Sequence, residues 1–352
     1  MEEYRQAQFV LVVRVVKNWT DDGKKFFTDL AIDEVLKSHD SVTNRKTISV
    51  ERNIRVKSQF IVFGEALKDS FDLFKGMENS PDGALKEYLL GAIKLKDKKI
   101  EDRLRYCFDH LENTSLQVAS DAHLEFAQAS AKEIRAMAKT LPADKIAAWV
   151  RDAKTDAGRR QFYGFLLGYC GTAEDGKMLR SMIGESVRST DGDITGFLKG
   201  HVMLQPKEGW DFVRLLLADD TQPYRIRHDA MHVANFLRSD RADLIDSKAL
   251  TDGVSLVLDH PDLAARGVDF LRRVKAWDRT DQVLGLYDGK KKLEMPLRGV
   301  IVCFALQSPE PRALAFVKEL RTRDPNFVAQ METALVYAAE SAGSEYIFEL
   351  LR

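Results

Sequence analysis

The sequence predicts an α+β fold that is mainly α, in which a small antiparallel β-barrel is followed by paired helices. Short apolar runs rich in β-branched residues, with turn signals between them, fill the first part of the chain. Apolar residues at three- and four-residue steps fill the rest. Between the two patterns, Ser80-Pro81-Asp82-Gly83 offers an N-cap and a first-turn proline. We therefore predict two domains, residues 1–79 and residues 80–352.

Composition limits the classes of partner. The 352 residues, 45% of them hydrophobic, are enough for about two domains with cores of their own. Lys and Arg number 53 and Asp and Glu number 54, so the formal net charge is −1. No overall field therefore attracts nucleic acid, anionic lipid or acidic substrates, and nucleic acid is disfavoured as a partner.

No signal peptide or transmembrane segment is predicted, because the N-terminus is acidic and the apolar run that starts at Phe9 is broken at Arg14. Cys107, Cys170 and Cys303 are far apart and lack CxxC spacing, which predicts three buried thiols and neither a disulfide nor a zinc site. We expect a soluble chain that is cytoplasmic by default. An exported protein whose leader had been removed would give the same pattern.

The barrel is predicted from short strand-like segments. Residues 9–16 form a β-branched run, and a turn cluster of Asn18, Asp21, Asp22 and Gly23 follows. Further strands are predicted at residues 26–36, 46–50, 54–56 and 60–63. Such short strands separated by turns predict an antiparallel barrel or sandwich.

Three runs in this domain carry a family resemblance: Val10-Leu11-Val12-Val13-Arg14-Val15, Ile32-Asp33-Glu34-Val35-Leu36-Lys37 and Phe60-Ile61-Val62-Phe63-Gly64. Their order resembles the netrin-like and metalloproteinase-inhibitor-like (netrin/TIMP-like) branch of the OB-type barrels. Inhibitors of that family act through an N-terminal cysteine that chelates the metal of a protease, whereas residues 1–64 contain no cysteine. The resemblance therefore implies an OB-like fold, and protease inhibition by that mechanism is disfavoured.

An OB-type barrel could also bind single-stranded nucleic acid through aromatic platforms and cations. Trp19, Lys24, Lys25, Phe26 and Phe27 lie together in one predicted loop region. The favoured alternative places Phe26 or Phe27 in the barrel core and uses the lysines to protect an exposed edge, since the chain is not basic.

The remainder of the chain is predicted to be helical, with short connections between the helices. Helices are predicted at residues 101–112, 116–128, 131–140, 142–152, 157–170, 174–184, 194–204, 206–218 and 222–240, with more beyond. Many helices of similar length joined by short loops are typical of an α-solenoid. Residues 337–352 are expected to form a last capping helix.

Internal similarity supports a repeat. Arg266-Gly267-Val268 and Arg298-Gly299-Val300 lie 32 residues apart, and Asp121-Ala122 and Asp229-Ala230 each begin an Ala-rich stretch. These features resemble HEAT-type repeats, which implies a right-handed α-α superhelix with a concave groove. The barrel, the repeats and the helix start Pro206-Lys207-Glu208-Gly209-Trp210 together resemble a group of uncharacterised bacterial proteins, which imply no activity.

The predicted site lies on the helix at residues 222–240, whose apolar positions fall on one side. Five polar or aromatic residues of this helix are expected to lie near the groove and to contact a protein or peptide partner: Tyr224, Arg225, Arg227, His228 and His232. His228 and His232 are four residues apart and could share a metal. Asp229, Ala230 and Met231 separate them, without the Glu of a zincin helix or a visible third ligand, so groove-lining histidines are favoured and no metal or cofactor is predicted.

Two further His and Glu pairs, His110 with Glu112 and His123 with Glu125, are weaker candidates for an iron site like that of helical-repeat hydroxylases. One residue separates the members of each pair, which places them about 200° apart on a helix. They are predicted to be helix-surface residues.

The leading hypothesis is a non-enzymatic scaffold or interaction protein. The alternative is an enzyme on a helical-repeat scaffold, either a metal-dependent hydrolase using His228 and His232 or a nucleic-acid-processing protein.

Overall fold

The computed structural model describes residues 2–21, 23, 25–55, 59–68, 70–79, 83–95, 97–188, 193–288, 293 and 295–340. Over these residues the chain is mostly helical and contains one five-stranded antiparallel sheet, so the α+β, mainly α class is confirmed. Contacts divide the chain into a first unit, Met1–Met137, and a second unit, Ala138–Arg352. The domain boundary after residue 79 stays a prediction, and residues 80–82 lie outside the described residues.

The first unit contains a short N-terminal helix, the sheet and further helices. These elements are α1 (Glu2–Gln6), β1 (Phe9–Asp21), β2 (Lys25–Lys37), β3 (Thr47–Val50), β4 (Phe60–Ala66), β5 (Phe71–Glu78), α2 (Ala84–Lys94), α3 (Ile100–His110), α4 (Leu116–Gln128) and α5 (Ala131–Ala138), which ends one residue beyond the unit. The strand order is β3-β2-β1-β4-β5, and all neighbours are antiparallel.

The strands differ from the predicted ones in three places. β1 continues through the predicted turn, because the hairpin with β2 stays paired as far as Asp21 opposite Lys25. Ile54 lies in no strand, and Val56 is outside the described residues. The sequence does not predict β5, because Leu73 is its one buried residue and the apolar alternation is weak.

Strand β1 has two buried faces over its first five residues. Phe9, Leu11 and Val13 face a core built by the other strands, which includes Leu30, Ile48, Phe60 and Val62. Val10 and Val12 face the opposite way, into a second core with residues of α1, α2 and α4, among them Tyr4, Tyr88 and Val118. A strand buried on both faces needs a continuous apolar run, which explains the sequence of residues 9–13.

The second unit is helical throughout its described residues. Its helices are α6 (Ala143–Arg151), α7 (Ala157–Cys170), α8 (Ala173–Arg188), α9 (Thr195–Leu204), α10 (Pro206–Ala218), α11 (Tyr224–Asp240), α12 (Ser247–Ser255), α13 (Ala264–Arg273), α14 (Thr280–Asp288), α15 (Leu297–Gln307), α16 (Pro311–Arg323) and α17 (Pro325–Glu340), with short 3-10 turns at Leu256–Asp259 and Trp277–Arg279. Helices α4, α7 and α10 have the predicted bounds. Most of the predicted capping helix, residues 341–352, lies outside the described residues. So do Lys290 to Lys292. None of the described helices combines the length and the apolar character needed to cross a bilayer.

Most helices of the second unit pack on the next helix in the sequence, and several alternate helices also contact each other. α7 packs on α9 and α9 on α11, while α13 packs on α15 and α15 on α17. From α7 to α15, side-chain hydrogen bonds join successive layers at a separation of 35 or 36 residues. They link Gln161 to Phe197, Asp229 to Ile194, Arg227 to Asp262 and Arg272 to Gln307. The last layer differs, since the bond from Arg298 on α15 to Asp324 before α17 spans 26 residues.

Glycines allow helices α7 and α9 to pack backbone against backbone. A Cβ atom on Gly200 would lie 2.2 Å from the carbonyl oxygen of Gly164, and one on Gly196 would lie 2.0 Å from that of Gln161. No larger residue fits at these distances, so the two helices approach closely. This close approach brings the side chains of α7 and α11 within reach of each other across α9.

Candidate functional site

Helix α11 places three of the five predicted site residues in one row. Tyr224, His228 and His232 follow at four-residue steps, so their side chains lie on the same face of the helix. The rings of Tyr224 and His228 stack with centroids 5.4 Å apart, and those of His228 and His232 meet edge to face at 4.5 Å. Phe236 continues the same spacing.

The two predicted arginines have internal contacts. Arg227 is 7% exposed and forms a two-pronged ion pair with Asp262, with Nη1–Oδ1 at 3.0 Å and Nη2–Oδ2 at 2.6 Å. Its Nε donates to the carbonyl of Gln222. Arg225 lies 3.6 Å from the carboxylate of Asp229. Arg227 therefore ties α11 to the segment before α13, and the expectation that it contacts a partner is not supported by its position.

A lysine that the sequence analysis did not select lies beside this row. The Nζ atom of Lys199, on α9, is 5.8 Å from the ring centroid of Phe165 and 5.3 Å from that of Phe236. The two rings contact each other at 5.8 Å, and Phe165 also contacts Tyr169 at 5.3 Å. Cations are attracted to aromatic faces at these distances.

The charge of Lys199 is only weakly compensated. Burial lowers the pKa of Lys199, and the carboxylates of Asp193 and Asp240 oppose this shift. Among the described residues, the Lys199 ammonium makes no hydrogen bond and no ion pair within 4 Å. A half-buried amine without a direct anionic partner is costly.

A second half-buried cation lies near the C-terminal end of α11. Burial lowers the pKa of Arg238, the charge of Arg273 lowers it further, and Asp269 and Asp240 oppose both effects. The Nε atom of Arg238 is buried and has no hydrogen-bond partner in the part of the chain that the structure describes. Arg238 lies about 200° around the helix from Phe236, and its charged neighbours Arg273 and Asp269 are on α13. We use the term α11 surface for the rings of Tyr224, His228, His232, Phe236, Phe165 and Tyr169 together with Lys199.

The structure adds no metal ligands to the histidine pair. Within the described residues, no group of three or more His, Cys, Asp or Glu side chains could hold a metal ion. His110 packs against Tyr106, with ring centroids 4.4 Å apart and Nδ1 2.8 Å from the Tyr106 carbonyl oxygen. These contacts place His110 in a structural role inside the first unit.

The prediction that Glu125 lies on a helix surface is wrong. Glu125 is 7% exposed, because it follows the buried positions Val118 and Ala122 on the apolar side of α4. Its carboxylate accepts hydrogen bonds from Arg5, with Nη2–Oε1 at 2.8 Å, and from Arg103, with Nη2–Oε2 at 3.3 Å. Burial acts to raise the pKa of Glu125, but the hydrogen bonds and charges of the arginines outweigh it, and the pKa is lowered.

Glu125 lines a cavity of about 260 Å³ in the first unit. The lining residues come from α1, the end of β2, the region of α2, α3 and α4, and they are Tyr4, Arg5, Lys37, Ala92, Leu95, Arg103, Tyr106, Cys107 and Glu125. Burial raises the pKa of Tyr106 and of Cys107 to about 12, so both groups are neutral at physiological pH. A charge in the middle of an apolar helix stripe, as at Glu125, was the one sequence signal of this site.

Near the tip of the β1–β2 hairpin, Lys17 and Lys25 each pair with a carboxylate. Trp19 and Phe27 stack at 4.4 Å, but the indole donates to Asp29 and Lys25 pairs with Glu51 at 2.9 Å. Phe26 is 54% exposed and Phe27 is half-buried on the hairpin, so the expectation that one of them enters the barrel core is wrong. Lys24 lies outside the described residues.

Comparison with known proteins gives no relative: no family model matches the chain, and no curated protein or solved structure is similar to it.

Proposed function

We propose that this protein is a non-enzymatic scaffold that binds an acidic segment of a partner protein on the α11 surface. The observation that carries the proposal is the position of Lys199, half-buried between the rings of Phe165 and Phe236 and without a direct anionic partner among the described residues. A carboxylate from a partner would supply the missing counter-charge. Aromatic rings around a desolvated cation are typical of the centres of protein interfaces.

The proposal includes the architecture predicted for the helical part, a right-handed superhelix of HEAT-like repeats with α7, α9 and α11 lining a concave groove. Support comes from the contacts between alternate helices and from the recurrence of interhelical hydrogen bonds at 35 or 36 residues. A stack of similar helical pairs produces such a constant separation. In this arrangement one extended segment could contact several successive helices.

For the sheet we propose an OB-like barrel. Residues of the two edge strands, β3 and β5, contact each other, and Arg52 just after β3 donates from Nη1 to the carbonyl of Leu73 in β5 at 2.7 Å. Closure between these edges would give a five-stranded barrel in the order β1-β2-β3-β5-β4. Closure of a sheet removes edges that would otherwise pair with other chains.

The two kinds of side chain on the α11 surface would have different roles. The rings of Tyr224, His228 and His232 supply rigid contact area, since aromatic side chains lose little conformational entropy on binding. Lys199 would pair with a carboxylate of the partner. A charge-assisted hydrogen bond is worth about 1.5–3 kcal/mol, so one or two of them are enough to select acidic segments.

A peptide-display selection tests this proposal. The intact chain and a Lys199→Met variant are each used to select from a random peptide library, and the affinity of the enriched peptides is then measured. We expect enriched sequences with Asp or Glu next to aromatic or aliphatic residues, about tenfold weaker binding to the variant, and binding that weakens with added salt. Lys207→Met is the matched control, because Lys207 is an exposed lysine on α10 that pairs with Asp211.

Two results would contradict the proposal. One is a selection in which the intact chain enriches nothing beyond an empty matrix. The other is a set of peptides that bind Lys199→Met as tightly as the unchanged protein. The enzyme alternative has no particular structural observation in its favour, because the histidine pair gains no third ligand among the described residues.

A further inference from the structure

The cavity of the first unit has a positive lining. Three cations, Arg5, Lys37 and Arg103, face one carboxylate, that of Glu125. The other titratable groups of the lining, Tyr4, Tyr106 and Cys107, add no charge at neutral pH, because burial raises the pKa of Tyr4 and raises that of Tyr106 and Cys107 to about 12. The lining itself therefore has more cations than carboxylates, while its arginines are partly exposed and the charges of Asp121 and Glu2 also act on Arg5.

The two arginines differ in how many of their N–H donors form hydrogen bonds within the protein. Arg5 reaches both oxygens of Glu125 and also Gln128. Among the described residues, the only hydrogen bond from the Arg103 side chain goes from Nη2 to Glu125, at 3.3 Å. A guanidinium has five N–H donors in a planar fork that matches a carboxylate. Arg103 therefore brings donor capacity to the cavity wall that the protein itself does not use.

Lys37 adds a positive charge to the lining. Its Nζ donates to the carbonyls of Tyr4, at 3.0 Å, and of Ala7, and it lies 5.0 Å from the centroid of the Tyr4 ring. These contacts hold the ammonium in one position.

The rest of the wall is apolar or aromatic. Ala92 and Leu95 come from the region of α2, and Tyr4 and Tyr106 also line the cavity. The Tyr106 hydroxyl is engaged with the carbonyl of Tyr88 at 2.9 Å, so its ring presents carbon atoms to the cavity. An apolar wall with a few convergent polar groups is typical of small-molecule sites.

From this lining we infer that the cavity is a binding site for a small organic carboxylate with an apolar body of roughly ten non-hydrogen atoms in total. The carboxylate would face Arg103 and Lys37, and the apolar body would lie against Leu95, Ala92 and the tyrosine rings. The Cys107 thiol would serve as apolar wall. This inference is independent of the peptide binding proposed for the second unit.

The test uses the full chain and a panel of carboxylates: phenylacetate, benzoate, hexanoate and octanoate. Phenylacetamide, the uncharged analogue of phenylacetate, and inorganic phosphate are the comparison ligands. Binding is followed by calorimetry and by the chemical shifts of backbone amides. We expect at least one carboxylate to bind with a Kd below about 1 mM, and phenylacetamide and phosphate to bind at least tenfold more weakly.

Variants locate the site. Arg103→Met should weaken carboxylate binding at least tenfold, whereas Arg105→Met, a change of an exposed arginine on the same helix, should leave it unchanged. Ala92→Phe should abolish binding by filling the cavity while keeping every charge. Circular dichroism and thermal melting establish whether each variant is folded. If Ala92→Phe does not fold, the Arg103→Met variant alone tests the inference.

The inference is overturned by any of three results. They are the absence of binding by every carboxylate at millimolar concentration, equal binding of phenylacetamide and phenylacetate, and unchanged binding by the folded Arg103→Met protein. Tighter binding of inorganic phosphate than of any carboxylate would also overturn it, because the site would then be a phosphate site.

Discussion

The guanidinium of Arg227 and the carboxylate of Asp262 form a two-pronged ion pair across 35 residues of sequence, with Nη–Oδ distances of 3.0 and 2.6 Å. The two partners are unequally buried, since the side chain of Arg227 is 8% exposed and that of Asp262 is 38% exposed. Removal of Arg227 and removal of Asp262 should therefore change the stability of the protein by different amounts.

We expect Asp262→Asn to cost more stability than Arg227→Met. The first change leaves a buried cation without its counter-charge and should lower the free energy of unfolding by about 2–3 kcal/mol. The second removes the charge, keeps the aliphatic packing and leaves an exposed carboxylate, so it should cost about 1 kcal/mol. Urea denaturation of both variants measures the difference, and equal effects would contradict it. Peptides selected on the α11 surface should still bind Arg227→Met.

Lys199→Met should make the protein more stable while it weakens peptide binding. The folded state holds the Lys199 amine half-buried, and methionine fills similar space without a charge. We expect the free energy of unfolding at pH 7 to rise by about 1 kcal/mol, as is found when a functional charge is replaced. Lys207→Met, on the exposed side of α10, should give no such gain. A loss of stability in Lys199→Met would show that the cation–π contacts outweigh the cost of burial.

The stability difference between the two proteins should depend on pH. Burial lowers the pKa of Lys199 below its ordinary value of 10.5, so between the folded pKa and 10.5 the unfolded chain binds more protons than the folded chain. The free energy of unfolding of the unchanged protein therefore gains from this group as pH rises through that window, and the gain is lost as pH falls. The advantage of Lys199→Met should shrink correspondingly in urea titrations from pH 8 toward pH 10.5.

Gly200→Ala should destabilise the second unit strongly. The added Cβ would lie 2.2 Å from the Gly164 carbonyl oxygen, so helices α7 and α9 would have to separate, at a cost of about 3 kcal/mol. Gly285→Ala, in the middle of α14, is the matched control because no atom lies within 4 Å of its added Cβ. That change should stabilise by about 0.5–1 kcal/mol through helix propensity. Thermal melting should show a lower melting temperature for Gly200→Ala and a higher one for Gly285→Ala.

The three cysteines should be poorly reactive in the folded protein. All are free, and burial raises the pKa of Cys107 and Cys303 to about 12 and that of the half-buried Cys170 to about 11. At pH 8 the thiolate fraction is then about one in ten thousand for the first two and about one in a thousand for Cys170. Timed alkylation with mass spectrometry should modify Cys170 first. All three should react at once in denaturant.

Local patterns were enough to place the helices. The bounds predicted for α4, α7 and α10 are those of the structure, because apolar spacing, capping residues and proline act within a few residues. β5 escaped prediction for the opposite reason. Its pairing with β4 supplies the hydrogen bonds that fix it, and its own sequence shows little alternation.

Part of the candidate site was selected from the sequence. His228 and His232 share a face as expected, because they are four residues apart on one helix, and Tyr224 continues the same spacing. Lys199 was missed and Glu125 was wrongly placed on a helix surface, although each is a charge within a largely apolar helix stripe. This pattern shows that a charged side chain lies among apolar positions. It does not identify the residues that contact the charge, because they lie on other helices.

The sequence by itself determined the α+β class, the order of the helices from α3 to α11, the bounds of α4, α7 and α10, and the shared face of His228 and His232, since local patterns within single elements indicate them. Only the tertiary structure decided that Arg227 is held by Asp262, that Lys199 lies between Phe165 and Phe236, and that three cations and Glu125 line one cavity. The physical reason is that the cost of a charge depends on its loss of water and on the groups that replace it. Those groups come from segments about 20 or more residues away, whose approach is set by packing.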